Sequence, residues 1–150
     1  MNRPIVLGIT GASGVAYGVR LLEVLLGKNL EVHLSISESG QKVIQHELGL
    51  QVNLDQFEPS QLLAATPPDS RLVYHHYKDF MTPIASGSHQ TSAMVVCPCS
   101  GSTLSGIATA RSGNLIQRAA DVHLKEKRPL ILVPRETPLS LLQIQNLEKL

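Results

Sequence analysis

Short continuous runs of apolar residues alternate with helix-like patterns along this chain, and this alternation restricts the possible folds more than any other feature of the sequence. Apolar runs of this length are typical of buried strands. Strands that are apolar on both faces need cover on both faces, which parallel sheets obtain from their crossover helices. The predicted strands are 4–10, 30–36, 72–75, 93–97 and 130–133, and the predicted helices are 15–26, 38–48, 102–110, 114–126 and 138–150. The pattern therefore predicts an α/β protein, a three-layer α/β/α Rossmann-like fold with a mainly parallel sheet.

Two helix starts carry recognisable capping signals. Asn114, followed three residues later by Gln117, resembles a capping box and supports a helix that begins there. Thr137 is a good cap with Pro138 behind it, and proline is favoured at the first helical position. We therefore predict that the last helix begins at Pro138 and continues to Leu150.

Length and composition limit the organisation and the partners of the chain. At 150 residues, 43% of them hydrophobic, the chain can bury one sizeable core, so residues 1–150 are predicted to form a single domain. A net charge of +1, without a basic stripe, argues against nucleic acid as a partner. No apolar stretch reaches membrane-spanning length and no signal peptide is recognisable, so we expect no membrane and a cytoplasmic location.

Two common classes of cofactor are disfavoured. The residues after the first predicted strand lack the G-x-G-x-x-G spacing of a dinucleotide site, and the second strand ends in Ser35-Ile-Ser37 without an acidic residue for a ribose hydroxyl. Cys97 and Cys99 are too close in an extended segment for a disulfide. No Cys or His cluster has metal-ligand spacing, so no metal is expected.

Two clusters of small residues each follow a predicted strand and precede a predicted helix. The first turn (residues 8–18) reads Gly-Ile-Thr-Gly-Ala-Ser-Gly-Val-Ala-Tyr-Gly, and the second turn (residues 99–103) reads Cys-Ser-Gly-Ser-Thr. Backbone amides at such helix starts favour anions. Taken alone, the first turn is equally compatible with a tight turn in which Ser13 caps the helix. Two such turns at the carboxyl ends of parallel strands favour a ligand site at that edge.

A cationic helix and a buried strand follow in series near the end of the chain. Arg118, Asp121 and Lys125 fall at i, i+3 and i+7, so they share one helix face. The strand 130–133 then delivers Arg135 and Glu136 to its carboxyl end. We therefore predict that these cations and the carboxylate converge on one crevice, where they would neutralise a phosphate and move a proton.

These motifs together resemble the UbiX-type flavin prenyltransferases, within the wider group of flavin-binding homo-oligomeric decarboxylase-like proteins. The matching stretches follow the expected order over nearly the whole chain: 8–14, 83–88, 97–104, and 114–121 running through 134–138. The resemblance implies transfer of a dimethylallyl group from dimethylallyl monophosphate to N5 and C6 of reduced FMN, without a metal. The product, prenylated FMN, would serve a UbiD-type decarboxylase, for example in ubiquinone biosynthesis. It also implies a homo-oligomer, a dodecamer in the family, with sites at subunit contacts because one short chain has few walls to enclose two ligands.

The resemblance also implies roles for individual residues. The family's FMN-contacting positions correspond to Gly11, Ala12, Ser13, Ser37, Ser100, Gly101, Ser102, Thr103 and Arg135. Its catalytic positions correspond to Ser13, Glu47, Arg118, Lys125, Arg135 and Glu136. The cations would stabilise the departing phosphate. Glu136 or Glu47 would shuttle protons, and Ser13 would relay a hydrogen bond near flavin N5. Without the resemblance, Glu47 is interpreted as an exposed helix residue.

Two alternatives and one departure from the family stay open at this point. Family members continue into a further C-terminal segment that completes the phosphate clamp, so the domain is expected to be C-terminally incomplete and to bind flavin better than it catalyses. A FMN-dependent cysteine-type decarboxylase is less favoured, because residues 98–103 contain no Asn of the kind that group carries. A non-catalytic flavin-binding subunit is the third hypothesis.

Overall fold

The computed structural model describes residues 3–65, 67 and 70–150. Within these residues five strands alternate with five α-helices. The strands are β1 (Ile5–Ile9), β2 (Val32–Ile36), β3 (Leu72–Tyr74), β4 (Ala93–Cys99) and β5 (Leu130–Pro134). The helices are α1 (Val15–Gly27), α2 (Glu38–Leu48), α3 (Gly101–Ala108), α4 (Leu115–Lys125) and α5 (Leu141–Glu148), with short 3-10 helices at Pro59–Gln61 and Pro83–Ala85. Every predicted strand and helix is present, so the predicted α/β fold class is confirmed.

All described strands pair in parallel, in the order β3-β2-β1-β4-β5. Side chains alternate between the two faces of the sheet, as the pleat requires. In β1, Leu7 and Ile9 join the core cluster that contains Leu22 of α1, whereas Val6 joins the cluster that contains Ile116 of α4. Helices α1 and α2 therefore cover one face, and α3 and α4 cover the other. This is the predicted three-layer arrangement.

The start of the last helix was predicted incorrectly. Helix α5 begins at Leu141, three residues after Pro138, with Ser140 as its N-cap. Ser140 Oγ accepts the Gln143 N–H at 3.2 Å, and Gln143 Oε1 accepts the Ser140 N–H at 2.9 Å. This reciprocal capping box satisfies two backbone groups, whereas a cap at Thr137 would offer only one side-chain acceptor. The helix ends at Glu148, before the predicted Leu150.

The capping box predicted at Asn114 is only half formed. Asn114 Oδ1 accepts the Gln117 N–H at 2.9 Å, which confirms Asn114 as the N-cap of α4. The Gln117 carboxamide instead accepts the N–H of Gly113 at 2.8 Å. Among the helices of the described part of the chain, none has both the length and the apolar character needed to span a membrane.

Candidate functional site

The two small-residue turns lie side by side at the carboxyl edge of the sheet. Thr10, fully buried at the end of β1, donates its hydroxyl to the Pro98 carbonyl at 2.7 Å and accepts the Ser100 N–H at 2.8 Å. The Thr10 N–H also donates to the Pro98 carbonyl, at 3.2 Å. One threonine thereby joins the first turn to the second turn. Sequence reasoning missed Thr10, although a polar residue that ends an apolar strand is a usable signal.

Close packing of the first turn depends on its glycine. A Cβ at Gly11 would lie 2.5 Å from the Cβ and Oγ of Ser39, near the start of α2. Real side chains do not approach this closely, so only glycine fits at position 11, where the chain passes the start of α2. The Ser37 N–H donates to the carbonyl of Ile9 at 3.0 Å and holds the start of α2 against the end of β1. The predicted FMN residues Gly11, Ala12 and Ser37 are therefore neighbours in the fold.

Ser13 and Glu47 form a hydrogen-bonded pair at the start of α1. The Ser13 hydroxyl donates to Glu47 Oε1 at 2.6 Å, and the N–H groups of Gly14 and Val15 donate to Oε2 at 3.0 and 3.3 Å. The N-cap residue Gly14 has no side chain to perform this task. The hydrogen bond from Ser13, followed by that from the Gly14 N–H, lowers the pKa of Glu47. Glu47 is therefore an ionised acceptor. The interpretation of Glu47 as an exposed helix residue is confirmed, and its three donors in addition hold the carboxylate in place.

Helices α2 and α3 present capped N-termini to the same edge. Ser37 Oγ accepts the Gly40 N–H at 3.0 Å. Ser100 Oγ accepts the Thr103 N–H at 3.2 Å and donates to Thr103 Oγ1 at 2.9 Å. The N-terminal ends of helices carry partial positive charge and unpaired N–H groups. Glu47 already occupies the N-terminus of α1, whereas the starts of α2 and α3 suit a phosphate.

A cavity of about 360 Å³ opens beside the start of α2. Its lining consists of Ser37, Glu38, Ser39, Lys42, Tyr77, Gly113 and Asn114. Lys42 Nζ lies 3.0 Å from Glu38 Oε1 and brings a cation to this cavity. Sequence reasoning did not assign Lys42 to the site, because its position in the middle of a predicted surface helix is typical of solvated lysines.

Arg135 and Glu136 also lie at the carboxyl edge, directly after β5, as predicted. Both are exposed in the single chain. Glu136 Oε2 lies 3.5 Å from Nε2 of Gln143, and that amide nitrogen would be 3.0 Å from a Cβ at Gly101. Glu136 is therefore about one side chain away from the second turn.

The prediction that Lys125 shares one crevice with Arg135 and Glu136 is wrong for a single chain. Helix α4 starts near the carboxyl edge, where the Leu115 N–H donates to the Tyr77 carbonyl at 2.7 Å. A crossover helix runs back against its strands, so the last turn of α4, which carries Lys125, lies near the amino edge. The five residues of β5 then separate Lys125 from Arg135 by about 16 Å along the sheet.

Arg118 and Lys125 have local partners instead. Arg118 Nε donates to the Ala85 carbonyl at 3.1 Å, and its Nη1 donates to Asp121 Oδ2 at 3.3 Å. This pair confirms that Arg118 and Asp121 share a helix face. Lys125 Nζ is 4.0 Å from Glu126 Oε1. Both cations therefore lie in the layer of α3 and α4, on the face of the sheet opposite the Ser13–Glu47 pair.

The two cysteines are reduced and take no part in this site as nucleophiles. Cys97 and Cys99 are buried free thiols. Burial raises the pKa of Cys99 to about 12 and also raises that of Cys97. A thiol reacts through its thiolate, so both are inert at neutral pH.

Comparison with known proteins gives consistent matches over nearly the whole chain. The Flavoprotein family matches residues 1–150. A flavin prenyltransferase UbiX from Halalkalibacterium halodurans is 48% identical over 144 residues, which cover 96% of this chain and 69% of the relative. The crystal structure of AnUbiX (PadA1) with FMN and dimethylallyl pyrophosphate has a TM-score of 0.85 at 36% identity and covers 99% of this chain and 73% of that one. A dodecameric FMN-dependent UbiX-like decarboxylase from Escherichia coli O157:H7 has a TM-score of 0.82 at 37% identity, with 97% and 73% covered.

Proposed function

This chain belongs to the UbiX flavin prenyltransferase family, and we infer from that membership that it transfers a dimethylallyl group to reduced FMN. The reaction breaks the bond between the allylic carbon and the phosphate oxygen and attaches the prenyl group at N5 and C6 of the flavin. We propose dimethylallyl monophosphate as the donor and a UbiD-type decarboxylase as the user of prenylated FMN. The cysteine-type decarboxylase is not favoured, because residues 98–103 lack the Asn of that group.

The single observation that carries this proposal is the convergence of two small-residue turns and two available helix N-termini at one edge, joined by Thr10. FMN has a phosphate, for which the starts of α2 and α3 are suited. It also has a flat ring that requires close approach of backbone, for which turns made of small residues are suited. The described residues therefore fit FMN. Ser37 and residues 100–103 would hold it, with Arg135 as an additional cation.

Ser13 and Glu47 are proposed to handle protons near the reacting atoms. The Ser13 hydroxyl points its proton at Glu47, so its oxygen can accept a hydrogen bond from a ligand while the proton passes to the carboxylate. The N–H groups of Gly14 and Val15 hold Glu47 in place. A carboxylate fixed by three donors is a well-positioned proton acceptor, because no reorientation is needed at the moment of transfer.

Arg118 and Lys125 are proposed to serve a site on a second subunit. Within one chain they lie on the opposite face of the sheet from Ser13 and Glu47, yet the family's phosphate-binding positions correspond to them. Their placement in one chain and their correspondence to phosphate-binding positions agree if a site combines residues of two chains. Such a site would take Ser13, Glu136 and their neighbours from one chain and Arg118 and Lys125 from another. The dodecameric UbiX-like protein of similar fold supports a homo-oligomer.

The proposed reaction is tested by mass spectrometry of the flavin after incubation with reduced FMN and dimethylallyl monophosphate. We expect a mass increase of one dimethylallyl group. Lys125→Ala and Glu136→Gln should abolish prenylation while flavin is retained, and Arg135→Ala should reduce both. Lys28→Ala, an exposed cation away from the site, is the matched control. Flavin retention without any prenylated product in the unaltered protein would support a non-catalytic flavin-binding subunit instead.

The two-subunit site is tested by complementation. Oligomers assembled from a mixture of Lys125→Ala and Glu136→Gln chains contain sites that combine one intact half from each chain. We expect such mixtures to recover part of the prenylation that neither variant shows alone. A mixture as inactive as its components would place all of these residues in one chain's own site and contradict the proposal.

A further inference from the structure

The side chain of Gln143 is oriented by the start of its own helix. Its Oε1 accepts the Ser140 N–H at 2.9 Å, as one half of the capping box. The carboxamide oxygen is therefore committed to the backbone of α5. Because the oxygen and the NH₂ group lie on opposite sides of the carboxamide, the NH₂ group must point away from Ser140.

The NH₂ group points to the place where Glu136 approaches the second turn. Gln143 Nε2 lies 3.5 Å from Glu136 Oε2 and would lie 3.0 Å from a Cβ at Gly101. Gln143 is half-buried there, whereas Glu136 is exposed. A separation of 3.5 Å is the long limit of a hydrogen bond. The contact therefore orients the Glu136 carboxylate and contributes little binding energy.

We propose that Gln143 is a positioning residue of the prenyl transfer, which holds Glu136 in one orientation next to the second turn. This inference rests on the proposed function, because Glu136 acts on protons only in that reaction. Glu136 follows a strand end and has no other side-chain partner among the described residues. A carboxylate that moves freely would be misplaced for proton transfer, and misplacement by about 1 Å costs on the order of 100-fold in rate.

The chain offers a matched set of variants. Gln143→Glu keeps the acceptor for the Ser140 N–H, so the capping box and α5 persist, but the donor to Glu136 is replaced by a second carboxylate. We expect the prenylation rate at neutral pH to fall by about 10- to 100-fold, with the acidic limb of the pH profile displaced to higher pH. Ser140→Ala removes the Oγ acceptor but keeps the Ser140 N–H that binds Gln143 Oε1, so it should lose clearly less turnover than Gln143→Glu.

The outcomes separate this inference from the function on which it rests. Unaltered protein that makes no prenylated FMN overturns the proposed function, and with it the role of Gln143. Active protein in which Gln143→Glu keeps the original rate and pH profile overturns only the role of Gln143. A loss in Ser140→Ala equal to that in Gln143→Glu would show that loosening of α5 is the cause, and it would also overturn the inference.

A readout without turnover tests the contact directly. In the flavin-free protein, the side-chain amide signals of Gln143 in an NMR titration should move as the neighbouring carboxylate takes up its proton. The movement should disappear in Glu136→Gln, which replaces the carboxylate with an isosteric amide. Signals that move equally in both proteins would show that Gln143 does not contact Glu136 and would contradict the proposal.

Discussion

The centre of the sheet and its β5 edge differ sharply in packing. All five residues of β2 and four of the five in β1 are buried, whereas no residue of β5 or α5 is buried. The proposed cofactor side of the site rests on the buried centre, while Arg135 and Glu136 rest on the exposed edge. The part of the proposed site next to β1 and β2 is therefore held by the core of one chain, whereas the part next to β5 depends on local contacts and on neighbouring surfaces.

The sequence of β5 explains why its exposure is informative. Leu130 and Leu132 pack against the core on the α4 side, but Ile131 is 51% exposed and Val133 is 40% exposed on the other face. A strand that is apolar on both faces suits a sheet covered on both faces. Exposed apolar patches commonly mark contact sites. This surface is compatible with the oligomer that we propose.

The largest contrast between the two regions should come from glycine substitution in the buried centre. A Cβ at Gly18 would overlap the carbonyl oxygen of Cys97, which belongs to the backbone of β4 and cannot rotate away. We expect Gly18→Ala to lower the free energy of unfolding by more than about 4 kcal/mol. Gly27→Ala is the matched control, because nothing lies within 4 Å of the new Cβ. Urea denaturation measures both, and equal stability of the two variants would contradict the packing of α1 on β4.

A leucine truncated in each region should show the next largest difference. Leu22 of α1 is fully buried, and Leu142 of α5 is 71% exposed. We expect Leu22→Ala to cost about 2–5 kcal/mol of unfolding free energy and Leu142→Ala less than about 0.5 kcal/mol. Denaturation of both variants across a range of protein concentrations provides the test. A similar cost at both positions would show that α5 is covered by another subunit in solution. That result would support the proposed oligomer.

The buried centre should also respond to acid, because it contains a histidine pair. His33 Nε2 lies 3.1 Å from Glu31 Oε1, and His33 Nδ1 lies 2.8 Å from His75 Nε2. The carboxylate favours a proton on His33 Nε2, so His33 Nδ1 can accept the Nε2–H of His75. Burial, and to a lesser extent the neighbouring His33, lowers the pKa of His75 from 6.5 to about 4. The folded state therefore favours neutral His75.

From this pKa we expect stability to be lost as the pH falls from about 6.5 toward 4. The unfolded chain binds the proton over this range and the folded chain does not, so His75 should account for about 2 kcal/mol of lost stability at pH 5. Denaturation at pH 8 and pH 5 measures the effect. His75→Gln should remove part of the pH dependence, whereas His46→Gln on the exposed side of α2 should leave it unchanged. An unaltered pH dependence of stability in His75→Gln would show that His75 does not cause it.

The smallest expected difference concerns two N-caps with the same chemistry. Asn114 caps α4, which contributes to the core, and Ser140 caps α5, which has no buried residue. We expect Asn114→Ala to cost about 1 kcal/mol of global unfolding free energy. Ser140→Ala should mainly increase local fraying of α5, because this helix can open without disturbing the core. Amide hydrogen exchange distinguishes the two, and global destabilisation by Ser140→Ala would show that α5 unfolds together with the sheet.

Local patterns were sufficient for most of the fold. The order and type of all ten main elements follow from apolar runs and helical spacing, because burial of one face requires those periodicities. The carboxyl-edge position of both turns also follows, since parallel strands end at one edge. The start of α5 was misplaced because two caps compete within four residues, and the winner depends on whether the Gln143 side chain turns back to Ser140.

Local sequence patterns predicted only part of the site. Glu47 entered the site through family resemblance alone, since its contact with Ser13 joins residues 34 positions apart. The joint between Thr10 and Ser100 spans 90 positions. Spacing along α4 correctly placed Arg118 and Asp121 on one face, but it carries no information about which edge of the sheet the helix end approaches. Because α4 runs from the carboxyl edge toward the amino edge, Lys125 at its end lies outside the predicted crevice.

The sequence by itself determined the element types, the parallel sheet and the chemical character of the two turns, because periodicity, glycine and helix caps act over a few neighbouring residues. The tertiary structure decided which side chains meet: Ser13 with Glu47, Thr10 with the second turn, Gln143 with Glu136, and Lys125 away from Arg135. Contacts between residues distant in sequence depend on helix direction and strand order. Both are consequences of how the chain packs on two faces of one sheet, which no local pattern specifies.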